Sequence, residues 1–321
     1  MKLHLPNSAH LQNIEGFIRK YDPNSNPSVL TVSGNPRYIH MHPVALAIAA
    51  CAGATATFRG WRTAGSVPNV SSAPYLVRMK LFDYLAVPPP RRIEEHEEAG
   101  RFVPITQIKT AQDLRQTITN LIPLLHANPS VADPIRYVVS ELGRNVLEHA
   151  SSPVGGFVCA QYFRDQRRIA IGMADAGIGI AAAITHSHVA PTEAEALRLA
   201  LTPGITGVTP NIGGNETNAG AGLFFIRSIA KASGNFFVIY SGNTEYKLLR
   251  AQPLPTVLFA NPTREGHSMV SDLPNWQGTA IGIDINVDET TEFTKLLDLI
   301  RRSYKIDVKK GADYTRKIQF T

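Results

Sequence analysis

The sequence predicts an α/β protein with a smaller N-terminal α/β region and a larger region in which helices and strands are interleaved. Three observations predict it. Short β-rich runs at 29–32, 157–163, 168–173, 236–240 and 279–285 stand among helical runs with apolar residues three and four apart. A sharp break falls at Pro88-Pro89-Pro90-Arg91-Arg92, followed by Glu94-Glu95-His96-Glu97-Glu98; prolines end a helix, and a run of like charges resists burial. Hydrophobic residues make up 44% of the 321, enough for a core and for more than one domain.

Before the break, 29–32 reads as a β-branched strand and 43–54 as an apolar helix that Gly53 weakens. Residues 56–61 read as a second strand, and 73–84 as a helix spaced by Tyr75, Met79 and Phe82. After it, 111–126 is an amphipathic helix through Leu114, Ile118, Leu121, Ile122 and Leu125. A second helix is expected to open at Asp133-Pro134, an N-cap with proline in the first turn, and to run to about His149. Strands follow at 157–163 and 168–173, with a polar turn at Asp165-Gln166. A glycine-rich loop covers 203–222, a helix resumes over 221–232, and 251–276, with four prolines, reads as an irregular insertion. The expected division is 1–90 for the small domain, 91–105 for a linker, 106–290 for the main domain, and 291–321 for a C-terminal helix and basic tail.

Net charge is +6, but the segment 301–321 holds seven basic residues against Asp307 and Asp313 and so carries +5 of it. The rest of the chain is nearly neutral, which makes nucleic acid a less favoured partner than the total charge suggests. Cys51 and Cys159 lie in apolar stretches and read as small buried residues, not as a disulfide framework or zinc site. The N-terminus lacks a signal-type apolar run. The longest uncharged stretch, 41–58, is too rich in Ala, Gly and Thr for a spanning helix, so a cytoplasmic protein without a membrane partner is expected.

Chemistry concentrates in three segments. Glu141, Asn145 and His149 are four apart and share one helix face, with Val138, Leu142 and Val146 roughly opposite. A carboxylate, an amide and an imidazole in one row suit a divalent ion and a water nucleophile: an Asn oxygen suits Mg²⁺, and the Glu can accept a proton. An exposed polar stripe is the plainer reading of this helix alone. Asp175 ends a strand and is followed by Gly177 and Gly179; an ionised Asp only accepts, so it can receive an exocyclic amine such as that of adenine. Alone, this pattern is often a turn. Gly220, Gly222 and Leu223 enter a helix whose start favours an anion. No Gly-x-x-x-x-Gly-Lys-Ser/Thr and no Gly-x-Ser-x-Gly occurs. His40 and His42, and His186 and His188, read as surface or loop histidines, and Trp61 and Trp276 as packing residues.

In this order and spacing, the three segments resemble the asparagine box and two glycine boxes of the Bergerat-fold (GHKL, histidine kinase-like) ATPases: gyrase, mismatch-repair and chaperone ATPases and histidine kinases. The resemblance covers about 106–290 and implies a two-layer α+β sandwich that binds ATP and Mg²⁺. It implies Glu141 as base or water-positioner, Asn145 on Mg²⁺ and Asp175 on adenine. His149, Gly177, Gly179, Gly220, Gly222 and Leu223 complete the cofactor site, and a lid over about 203–220 closes on the phosphates. Gly278-Thr279 is similar to the family's last Gly-Thr, where Thr279 supports the adenine. Two departures stand out: the lid has no Lys or Arg between Arg198 and Arg227, and 251–276 is long.

The N-terminal region resembles STAS-type domains, the partners of small serine kinases in sigma-factor control, through its strand–helix order and residues 73–85. Together these imply a slow, Mg²⁺-dependent ATPase that binds ATP and ADP and whose lid closure controls a protein partner, reached through the N-terminal region or the lid. Four alternatives remain open: a serine/protein kinase of the anti-sigma-factor type, a module that binds ATP without hydrolysing it, a homodimer, and a nucleic-acid remodeller using the basic tail.

Overall fold

The computed structural model describes residues 1–91, 102–124, 129–208, 220–250, 257–286 and 318–319. The chain is a mixed α/β protein, as its alternating patterns predict. Its N-terminal region comprises β1 (Lys2–Leu5), α1 (Glu15–Ile18), β2 (Val29–Gly34), α2 (Pro43–Phe58) and β3 (Arg62–Ser66), the strands forming a parallel sheet in the order β1-β2-β3. Residues 56–58, expected in a strand, extend α2 instead, and the next strand begins only at Arg62. Gly53 does not weaken this helix; a Cβ there would overlap the carbonyl of Tyr84, so the glycine permits close packing. The helix expected over 73–84 is broken into α3 (Ala73–Arg78) and α4 (Phe82–Leu85) at Lys80, whose φ is 60°.

The main region continues with β4 (Phe102–Ile108), α5 (Ala111–Leu124), α6 (Pro129–Asn145), β5 (Gly156–Phe163), β6 (Arg168–Asp175), α7 (Gly179–Thr185) and α8 (Glu193–Ala200). After these come α9 (Gly222–Ala232), β7 (Phe237–Gly242), β8 (Thr244–Leu248), β9 (Val257–Leu258), β10 (His267–Val270), β11 (Trp276–Asn286) and β12 (Ile318–Gln319). Seven strands form one antiparallel sheet in the order β10-β8-β7-β11-β6-β5-β4. β4 starts inside the segment read as a linker, because Val103 and Ile105 are buried on the sheet edge. The α6 helix begins at Pro129, five residues before its expected start, so Pro134 stands inside the helix beyond the first turn expected for it, where its missing N–H removes one i→i−4 hydrogen bond. Of the stretch read as an irregular insertion, 251–256 lie outside the described residues, while 257–276 contributes β9, β10 and the first residue of β11, and β10 is an edge strand of the sheet. Pro262 and Pro274 bracket it without entering it. β8 escaped the reading because its Glu245 and Lys247 look solvated, yet both are buried, with Lys247 paired to Glu15. Of the expected C-terminal helix and tail, only 318–319 falls within the described residues, where β12 pairs with β9.

Strand periodicity assigns the two faces. Along β6, Ile169, Ile171 and Met173 join the core beneath α5, α6 and α9, while Ala170, Gly172 and Ala174 take the other side. The neighbouring β11 repeats this with Ile281, Ile283 and Ile285 against Ala280 and Gly282. The small-residue side lets α2 lie directly on the sheet: a Cβ at Gly172 would overlap the backbone of Pro43 and Val44. His42 caps α2, its Nδ1 accepting from the Val44 N–H at 3.1 Å while its Nε2 faces Asp284 at 3.2 Å. That corrects the surface reading of His42, which is 2% exposed. Burial also holds the His40 imidazole down to about 4. No helix among the described residues is long and apolar enough to cross a membrane.

Candidate functional site

The front of the sheet carries a cavity of about 730 Å³ between α6, α7 and the start of α9, floored by β6 and β11. Its walls include Glu141, Asn145, His149, Asp175, Gly179, Gly220, Gly222, Leu223 and Thr279, the predicted residues from all three segments together with the threonine. Gly177 alone of the predicted set does not line it. A Cβ on Gly177 would overlap the Ala150 carbonyl, and that carbonyl accepts the Ile178 N–H at 2.8 Å. Its part is therefore to bring the turn after β6 against the end of α6. Residues 209–219, most of the expected lid, lie outside the described residues.

α6 supplies the polar row. Val138, Leu142 and Val146 are buried in the core, which turns Glu141 and Asn145 to the cavity. The helix ends in a π turn, Val146–Ala150, which widens the last turn and re-aims His149 relative to a regular four-residue repeat. Glu141 is 15% exposed, and burial raises its pKa above the usual carboxylate range against the opposing pull of Arg144. Arg144 Nη2 lies 3.4 Å from Glu141 Oε2, and its Nε lies 4.0 Å from Glu148. Gly222 opens α9 beside the same carboxylate: a Cβ there would stand 2.5 Å from Glu141 Oε2. The first and third segments are thus in direct contact.

Asp175 sits at the buried end of β6, 5% exposed. Burial pushes its pKa up to about 6, although the backbone N–H groups of Gly177 and Thr279 favour the ionised form; Gly177 N lies 2.8 Å from Oδ1. An ionised Asp175 holds acceptor capacity for a ligand donor and has no cation to neutralise it among the described residues.

Several groups that shape the site were not legible as such. The Trp276 indole N–H donates to the Asp175 carbonyl at 3.1 Å, and Gln277 Nε2 donates to the Gly177 carbonyl at 2.8 Å, so Trp276 does more than pack. Ser241 Oγ accepts the Ile180 N–H at 2.9 Å and donates to the Gly278 carbonyl at 2.7 Å, joining α7 to β11. Gly278, with φ 116°, must be glycine because a Cβ would overlap the Asp175 carbonyl. The only sequence signal for these was adjacency: Trp276 and Gln277 precede Gly278-Thr279, as Arg144 precedes Asn145. Arg144 and the exposed His186 bring basic groups to the walls, answering in part the lack of lysine and arginine in the lid. His188, by contrast, bonds the Thr206 carbonyl at 2.9 Å. No group of three His, Cys, Asp or Glu suited to holding a metal occurs among the described residues. No protein-family model matches the chain, and no curated protein does.

Proposed function

We propose that the front cavity binds ATP with Mg²⁺ in the manner of the Bergerat-fold (GHKL) ATPases, and that the chain is a slow ATPase whose lid closure controls a protein partner. One observation carries this reading: three segments separated by some thirty to eighty residues, each bearing groups suited to nucleotide chemistry, face one cavity of about 730 Å³. That volume lies within the ~300–1,000 Å³ typical of small-molecule sites.

The donor set fits. Asp175 accepts the exocyclic amine of adenine, and Thr279 beside it lines the same end. The N–H groups that open α9 at Gly222, which has no side chain of its own and stands beside Glu141, favour phosphate oxygens. The Asn145 amide oxygen is the neutral ligand this chain offers a hard cation; Mg²⁺, when bound, neutralises phosphate charge. Glu141 accepts a proton from water as the water oxygen bonds to the terminal phosphorus and the bond to the bridging oxygen breaks, releasing ADP and phosphate. Its raised pKa suits that role, since a partly desolvated carboxylate is a stronger base than an exposed one. Arg144, paired with Glu141 here, is the guanidinium within reach of the same region.

The test is turnover. Glu141→Ala should abolish release of phosphate from ATP while leaving nucleotide affinity within about threefold; unchanged turnover refutes the assignment. With labelled ATP and candidate protein partners present, label appearing on protein instead of in free phosphate would replace hydrolysis by phosphotransfer.

A further inference from the structure

The front cavity is poor in positive charge. Among the described residues that line it, Glu141, Glu148 and Asp175 are carboxylates and Arg144 is the only lysine or arginine. The sequence adds neither type between Arg198 and Arg227. A polyphosphate entering here meets one guanidinium and three acids, so where that guanidinium points decides how the charge is received.

The guanidinium is held loosely. Arg144 Nη2 stands 3.4 Å from Glu141 Oε2 and its Nε 4.0 Å from Glu148 Oε1, and the Arg144 and Glu148 side chains are half-exposed. Charge-assisted hydrogen bonds are ordinarily ~2.7–2.9 Å, and exposed pairs one turn apart on a helix are weak. Other arginines in this half of the chain are committed. Arg198 grips Glu195 with two bonds of 2.6 and 2.8 Å, and the buried Arg227 donates to the Phe259 carbonyl. Arg144 instead divides itself between two carboxylates and makes a close bond with neither.

Its place matters as much as its freedom. A Cβ on Gly222, at the opening of α9, would stand 2.5 Å from the same Glu141 Oε2 that Arg144 approaches. The guanidinium and the helix start that favours phosphate are therefore separated by no more than those two distances combined.

We infer that Arg144 distinguishes ATP from ADP: Glu141 and Glu148 hold it in the free chain, a terminal phosphate takes it from them, and Glu141 is left unpaired as the base. The switch rests on the ATP reading of this cavity and names how that site is regulated. ADP, one phosphate shorter, leaves the pair with Glu141 in place. A ligand shifts such an equilibrium only by binding its two states unequally, and the terminal phosphate supplies the inequality. Loss of the guanidinium also strengthens the base: burial raises the Glu141 pKa, and Arg144 is the main influence opposing it. Glu148 competes with the nucleotide for the same group and so weakens ATP binding.

The experiment is calorimetric titration of the full chain with Mg-ATP and with Mg-ADP at constant ionic strength. It compares the wild type, Arg144→Gln, Arg144→Lys and Glu148→Gln, each first shown to keep the wild-type urea midpoint. The wild type should bind ATP about tenfold or more tightly than ADP, and Arg144→Gln should lose that preference through ATP alone, its ADP affinity staying within about twofold. Arg144→Lys should keep part of the preference, and Glu148→Gln should tighten ATP about threefold without changing ADP. A second readout needs no nucleotide: the Glu141 carboxyl, followed by carbon NMR in the free chain, should titrate higher in Arg144→Gln than in the wild type. A Glu141 titration unmoved by Arg144→Gln removes the resting pair and overturns the inference. An unchanged ratio of ATP to ADP affinity in Arg144→Gln, with ATP still bound, overturns it while the ATP reading stands. If the wild type binds neither nucleotide, both fail.

Discussion

The two faces of the seven-stranded sheet are built from the same strands and do opposite things. On the back, Ala170, Gly172, Ala174, Ala280 and Gly282 reduce the sheet to its backbone, and α2, itself lined with alanine, lies against it with little room left. On the front, Ile169, Ile171, Met173 and Ile281 lift α6 and α9 away, and at one end the apolar layer gives way to Glu141, Asn145 and Asp175 around a cavity. Close packing excludes ligands and fixes position; larger side chains hold the helices at a distance that leaves space for one. The back face thus anchors the strand whose end presents Asp175 to the front.

This contrast can be broken most severely at Gly172. Gly172→Ala places a methyl group into the backbone of Pro43 and Val44, which cannot move aside as a flexible side chain could. A loss of about 3 kcal/mol or more is expected in urea unfolding, at the upper end of overpacking costs; a loss below about 1 kcal/mol would mean that α2 is not seated so closely. A smaller effect concerns acid. Asp175 titrates near 6 in the folded chain, so ATP affinity should fall about tenfold between pH 7 and pH 5 as the acceptor is protonated. The free chain should show the reverse preference. A raised carboxylate pKa contributes stability that is full below the ordinary value near 3.8 and is lost as pH rises through about 6. Thermal unfolding and calorimetric titration across that range measure both trends. The least effect on stability is expected at the front glycine. Gly222→Ala meets only the tip of Glu141, so unfolding should shift by less than about 1 kcal/mol while ATP turnover falls at least tenfold. A large loss of stability there would make the front as tightly packed as the back.

How far the sequence disclosed this architecture depended on side-chain chemistry. Glu141, Asn145 and Asp175 were legible because polar groups at helical spacing, or beside glycines, are chemically conspicuous. All three line the cavity. The same logic missed β8, whose Glu245 and Lys247 are buried against the N-terminal segment instead of facing water. It also missed β10, since the prolines around it suggested disorder of pattern where they merely flank a strand. The Asp-x-Gly-x-Gly pattern makes Gly177 conspicuous as a ligand contact, whereas its lack of a side chain serves contact with Ala150. The large–small alternation from Ile169 to Ala174 is a signal for the two faces, but what lies on the small side is a tertiary fact. The parts played by Trp276, Gln277 and Ser241 depend on pairing between distant strands, which no local pattern contains.

The most direct measurement is an isothermal titration of the chain with ATP and Mg²⁺, run beside Asp175→Asn. Saturable binding at one site per chain is expected for the wild type, with affinity at least tenfold weaker in the variant because the amide cannot supply an anionic acceptor. Absence of binding to the wild type, or equal affinity in both chains, would contradict the assignment of the front cavity to a nucleotide.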